Sequence, residues 1–193
     1  HNIIPIYVKL HVNLSTINRP KTNSETYLDL DSHADTCVLG SNALLVESAH
    51  PERTAEVSFA DPSVGTRIKR ILSGAFLYVS PLNGKQYILV VHQAIFIEAL
   101  DHSLLCPMQI RDNDVMLNGQ SKCMTENPTE DTHALLAVTD TKEHLQIPLR
   151  LRGVTSTMNV SKPTREQYEL LPHIQLTTPD LTWDPQTTHF EDM

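Results

Sequence analysis

The sequence predicts an all-β fold, and three observations predict it. Apolar and polar residues alternate in short runs, the two-residue period of a strand with one buried face. Turn-forming residues separate these runs, and one separator is the pair Asn83 and Gly84, the strongest short-range hairpin signal. The chain also carries 12 prolines against 6 glycines, which favours extended connections over long helices. Many short strands joined by turns fit a barrel or a sandwich.

In chain order, residues 3–14 alternate from Tyr7 onward and read as an opening strand. A polar stretch over 15–25 follows, and residues 26–30 form a second strand that delivers Asp31 at its end. Residues 37–39 and 43–46 are apolar on either side of the break Gly40-Ser41-Asn42. Short strands are expected over 56–59, 68–71, 75–80 and 86–92, with a β-hairpin over 76–91 whose tip is Asn83 and Gly84. Another strand covers 94–98, the apolar step Leu104-Leu105-Cys106 leads into a short helical turn, and 115–117 return to strand. The polar, acidic stretch over 121–132 is the linker expected in this chain. Beyond it, 134–138 and 145–151 are strand-like, and 163–171 have helical spacing behind Pro163. The tail from Thr177, rich in Thr, Pro and Asp, is expected to lie extended on the surface. The resulting division is a domain over 1–120, a linker over 121–132, and an extension over 133–193 with a few strands and one short helix.

Composition narrows the function. The chain has 193 residues, 40% hydrophobic and 20% charged, as in a soluble globular protein, and a formal net charge of -8. That charge argues against a nucleic-acid surface, and the basic pairs Lys69/Arg70 and Arg150/Arg152 are too small to reverse it. No apolar run approaches the roughly 18 to 20 residues that cross a bilayer, and no secretory signal pattern opens the chain. Because it begins at His1, it reads as a processed product or a piece of something larger. Cys37, Cys106 and Cys123 match neither a disulfide framework nor a zinc motif, and the histidines form no ligand pair. No metal and no cofactor is therefore expected. Sequons stand at Asn13 and Asn159 and matter only in a secreted chain.

The hexapeptide Asp31-Ser32-His33-Ala34-Asp35-Thr36, behind the strand Tyr27-Leu28-Asp29-Leu30, carries the chemistry. A hydrophobic strand, then Asp-Ser or Asp-Thr, then a small-residue turn with another acid resembles the retropepsin-like aspartic proteases of retroviruses and retrotransposons. Downstream, Ala94-Ile95-Phe96-Ile97-Glu98 and His102-Ser103-Leu104-Leu105-Cys106-Pro107-Met108-Gln109-Ile110 are similar to the closing part of protease domains in Copia-type polyproteins. The resemblance covers about residues 3–117. It implies a closed barrel with a flap hairpin, a homodimer, an extended peptide substrate, and a cytoplasmic location if the chain belongs to such a polyprotein. It implies Asp31 as the catalytic carboxylate, Ser32 as a loop-fixing hydrogen bonder, Asp35 as a positioning or dimer residue, and Asn83 and Gly84 at the tip of the flap. The physical logic is independent of the family: metal-free peptide hydrolysis needs one group to take a proton from water and another to give one to the carbonyl oxygen. Two carboxyls in contact share a proton and serve as base and acid. One Asp-Ser motif per chain then requires a second copy across a two-fold axis.

His33 departs from the pattern, because the family has glycine there, which brings two such loops close. The expectation is that the fold survives and activity is altered or absent. A second function class thus stands beside the protease: a catalytically inactive copy used as a structural, self-assembling module, joined through sheet edges. Asp140-Thr141 resembles a second half-site, but Lys142 and Glu143 make it a surface turn. A zinc set drawn from His33, Cys37, His92, His102 and Cys106 is weighed against ordinary structural roles for these residues, and the latter are preferred. Trp183, flanked by acids, packs locally or anchors the tail in a groove of its own or a neighbouring subunit.

Overall fold

Alternating side chains and frequent turns produce mostly strands and few helices, so the chain is all-β. A computed structural model describes residues 4–5, 26–58, 63 and 65–191. The expected opening strand lies outside the described residues except for β1 (Ile4–Pro5), as does Asn13. The other strands are β2 (Thr26–Leu30), β3 (Val38–Leu39), β4 (Leu44–Val46), β5 (Thr54–Ser58), β6 (Thr66–Val79), β7 (Gln86–Phe96) and β8 (Ser103–Leu105). They continue with β9 (Met116–Asn118), β10 (Ala134–Val138), β11 (His144–Pro148), β12 (Arg150–Arg152), β13 (Thr155–Val160) and β14 (His173–Gln175). Among the short helices, α1 (Pro107–Arg111) begins on its proline behind the Cys106 cap, and α2 (Arg165–Leu170) follows Pro163 and the Thr164 cap.

The large sheet runs β1-β5-β6-β7-β3-β8-β2-β13-β12, with β14 added to β7 and β4 to β6, and β11-β10-β9 form a second sheet. This path is open, so the closed barrel expected from the sequence is not found among the described residues. Within this path β6 meets the residue just past β13, where Leu77 and Ser161 exchange backbone hydrogen bonds of 2.8 and 3.0 Å. Two residues later Pro163, which has no N–H to donate, leads into α2, so the ladder cannot continue there.

Two expected strand pairs fuse into longer strands. Residues 68–71 and all but the last of 75–80 belong to β6, whose register against β7 shifts between Leu72 and Gly74. At Gly74 a Cβ would stand 2.9 Å from both terminal methyls of Leu39, so a side chain at the bulge would have to displace that leucine. Residues 86–92 and most of 94–98 likewise join in β7, bent at Gln93, whose φ of 53° is left-handed. The hairpin over 76–91 forms with its turn at Asn83 and Gly84, and Gly84 takes a φ of 73°.

The stretch expected as an extension is woven into the body. β13 pairs with β2 along Thr157–Asp29 through Val160–Thr26, and β14 lies parallel to β7. The largest of three hydrophobic clusters among the described residues spans both sheets, taking Leu28 from β2, Phe76 from β6, Leu89 from β7, Leu135 from β10, Ile147 from β11 and Trp183 from the tail. Burying a large aliphatic or aromatic side chain contributes about 1.5–3 kcal/mol, so this cluster supplies much of the driving force for folding.

Candidate active site

β2 is the strand that carries the chemistry, and it lies between β8, parallel, and β13, antiparallel. Leu28 points into the core, while Tyr27, Asp29 and Asp31 alternate with it and share the other face. The parallel ladder with β8 reaches one residue past the strand, where Asp31 N–H donates to Leu105 O at 3.0 Å. The chain then turns: Ala34 N–H donates to Asp31 O at 3.3 Å, and His33 N–H donates to Asp31 Oδ1 at 2.9 Å. This Asx turn fixes the carboxylate, whose side chain is 14% exposed. Ser32 and His33 form the exposed apex, with the His33 side chain 69% exposed.

His33 therefore projects outward instead of filling the loop. Its φ is not among the positive values of the chain, so this turn needs no glycine to close. Ser32 Oγ lies 3.5 Å and Asp31 Oδ1 4.0 Å from the same His33 Nδ1. A serine nucleophile relay needs the two imidazole nitrogens to face opposite partners, so this trio cannot act as one.

Behind the apex, the loop returns through Asp35 and Thr36 to β3, which is inserted between β7 and β8. A buried amide from α1 locks the return: Cys37 N–H donates to Gln109 Oε1 at 2.8 Å, and Gln109 Nε2 donates to Gln93 O at 3.0 Å and to His92 O at 3.4 Å. Gly40 is required for another reason, because a Cβ there would lie 2.1 Å from His102 O and 2.7 Å from Leu100 O. Ala34 and Thr36 are buried, and Asp35 is half-buried beneath the apex.

A cavity of about 820 Å³ opens beside Asp31, lined by the loop residues Asp31 to Ala34, by Asp29, by Cys106, Met108 and Arg111 of the α1 region, and by residues 154–156. Asp29 adds a second carboxyl to it. Burial pushes the Asp29 acid above its ordinary value, against the pull of His102, whose Nε2 lies 3.7 Å from Asp29 Oδ2. His102 is held in turn by Asp101 Oδ1 at 2.9 Å and by stacking on Tyr27 at 5.3 Å. Cys106 and Cys37 are thiols pushed upward by burial, so neither offers a ready thiolate.

Some expected site residues stand apart from this cavity. Asn83 and Gly84 sit at a hairpin tip whose next residue, Lys85, pairs with Glu143 at 3.0 Å, and neither lines the Asp31 cavity. Asp140 belongs to a turn where its Oδ1 accepts from His173 N–H at 3.1 Å. His92 hydrogen-bonds Ser73 Oγ and Gln175 Oε1, and no three His, Cys, Asp or Glu side chains gather as metal ligands among the described residues. Trp183 docks in its own chain, 4% exposed, with Nε1–H shared between Asp35 O at 3.1 Å and Thr36 Oγ1 at 3.2 Å. Asp29 and Gln109 are not singled out in the sequence, and His102 is weighed there only as a zinc ligand. Only Asp29 left a usable signal there, the i, i+2 spacing from Asp31 on one strand face.

Comparison of the chain with protein-family models, curated proteins and solved structures finds no match.

Proposed function

We propose that the chain is a retropepsin-like aspartic endopeptidase of a retroelement polyprotein, active as a homodimer with one Asp31 from each copy. The observation that carries this reading is the Asp31 turn: a carboxylate at the end of a buried strand, oriented by a backbone N–H at 2.9 Å, in a loop whose apex faces out. A partner loop can approach such an apex. With two carboxyls in contact, the ionised one takes a proton from water as the water oxygen attacks the peptide carbonyl carbon. The protonated one gives its proton to the carbonyl oxygen. Collapse of the tetrahedral intermediate breaks the C–N bond as the amine nitrogen takes up a proton. The cavity beside Asp31 is large enough for substrate side chains.

A specific observation favours the second reading, an inactive self-assembling module. β12 is an edge strand of the large sheet, and it carries Leu151, 45% exposed, with Val154, 94% exposed, just beyond it. Pairing two β12 edges would separate the two β2 strands by five inter-strand steps, about 24 Å, which is far beyond carboxyl contact. Edge assembly and dyad formation therefore exclude each other in one pair of copies.

The experiment is cleavage of a peptide library between acid and neutral pH, with Asp31→Asn beside the native protein and the mass in solution measured in parallel. Cleavage by the native dimer that Asp31→Asn abolishes is the expected result. Equal cleavage by both would remove Asp31 from the mechanism. Self-association without any cleavage would favour the module.

A further inference from the structure

The tail beyond Thr177 is exposed along most of its length, yet it is tied to the Asp31 loop by two separate routes. The first is direct: the buried indole of Trp183 donates to Asp35 O and Thr36 Oγ1, on the return limb of the loop. The second runs through Gln93. Its Oε1 accepts from Trp183 N–H at 2.8 Å, and its Nε2 donates to Thr178 O at 2.7 Å and Leu181 O at 2.6 Å. The backbone carbonyl of Gln93 accepts from Gln109 Nε2, and Gln109 Oε1 holds Cys37 N–H. The left-handed φ of 53° at Gln93 is a conformation that residues with a Cβ adopt only when their surroundings hold them in it.

Before Trp183 the tail is zipped on by Thr177, whose Oγ1 accepts from His92 N–H at 2.7 Å and donates to His92 O at 2.8 Å. After it, Phe190 leans on the indole with ring centroids 6.0 Å apart. Residues 180–182 between these anchors are exposed, and Trp183 is the buried side chain that follows them.

We propose that the tail is a latch in cis for the Asp31 loop and that Trp183 is a positioning residue for Asp31. With the indole docked, Asp35 and Thr36 are held from below, and the turn that presents the carboxylate keeps its shape. With the indole released, the return limb loses two acceptor contacts and the turn loosens. This deepens the protease reading, since it makes the geometry of that site conditional on a segment about 150 residues away in sequence.

Trp183→Phe, which keeps an aromatic ring and removes the N–H, and Thr36→Val, which keeps shape and removes one acceptor, test the latch in the full chain. Amide exchange is followed at Ala34 and Cys37 in the loop and at Leu77 and Leu149 as distant references, both backbone-bonded elsewhere. Loss of one net hydrogen bond should speed exchange of the two loop amides by about fivefold and leave the references unchanged. Trp183→Phe and Thr36→Val are each sufficient for the test. An unchanged loop, or an equal rise at all four amides, overturns the latch, the second because it reports general loosening. The exchange result does not depend on turnover, so a responsive loop without cleavage keeps the latch and removes the protease reading. With cleavage, both variants should lower kcat and leave KM unchanged.

Discussion

Gln109 offers the sharpest test of how the loop is held. Its amide is buried and makes three hydrogen bonds, accepting from Cys37 N–H at 2.8 Å and donating to Gln93 O at 3.0 Å and His92 O at 3.4 Å. In Gln109→Leu a side chain of similar size fills the space without polar atoms. The Cys37 N–H is then a buried donor with its partner removed, which costs about 1–3 kcal/mol, and Gln93 O loses its amide donor at about 1 kcal/mol. The His92 carbonyl keeps Thr177 Oγ1, so the third loss is minor. The expected destabilisation is about 2–4 kcal/mol, read from urea unfolding followed by far-UV circular dichroism. Gln109→Glu separates polarity from shape. A carboxylate can still accept from Cys37 N–H, but it turns an oxygen towards two carbonyls, which raises its pKa in the folded state. An acid with a raised folded pKa stabilises most below its unfolded value and loses that contribution as pH rises, so this variant should approach the native protein near pH 4.5 and fall behind it at pH 7. A Gln109→Leu protein within about 0.5 kcal/mol of native, or a Gln109→Glu deficit independent of pH, would refute the lock.

Gly40→Ala should destabilise by more than the usual 1–3 kcal/mol or so of an overpacked core, because its Cβ meets two backbone carbonyls that cannot rotate away; the unfolding midpoint checks this. Burial lowers the pKa of both His92 and His133, so the unfolded chain takes up protons more readily than the folded one below about pH 6.5. Stability should therefore drop between pH 7 and pH 5, and His92→Asn should flatten that drop in a thermal-unfolding series. His33→Gly, at an exposed position whose φ is not positive, should cost about 0.4–1 kcal/mol through the freer unfolded backbone alone; a larger loss would mean that the imidazole supports the turn. Leu28→Ala, at the fully buried centre of β2, should cost about 2–5 kcal/mol and lower the unfolding midpoint accordingly.

Local signals were legible where local physics decides. The Asn83-Gly84 hairpin, the end of β2 at Asp31, the helical turn after Cys106 and the capped helix behind Pro163 all follow from nearest-neighbour preferences. β13 was missed because its sequence, Thr155 to Val160, is polar and lacks a clean alternation; it is a strand because β2 needs a partner there. β14 is three residues long and exists by pairing with β7. The same limit applies to the site. Asp31 and its turn are written in consecutive residues, whereas Gln109 meets Cys37, and Trp183 meets Thr36, only after the chain has crossed itself.

That crossing has a consequence for how the protein is made. The partner of Leu28 in β13 is Met158, so the strand bearing Asp31 has a bare flank until that residue has left the ribosome. During vectorial synthesis β2 can pair with β8 long before β13 arrives, which exposes an adhesive strand edge on every nascent chain. Closing so long a loop is slow, and a chaperone or a fast-folding downstream segment would shorten that vulnerable interval.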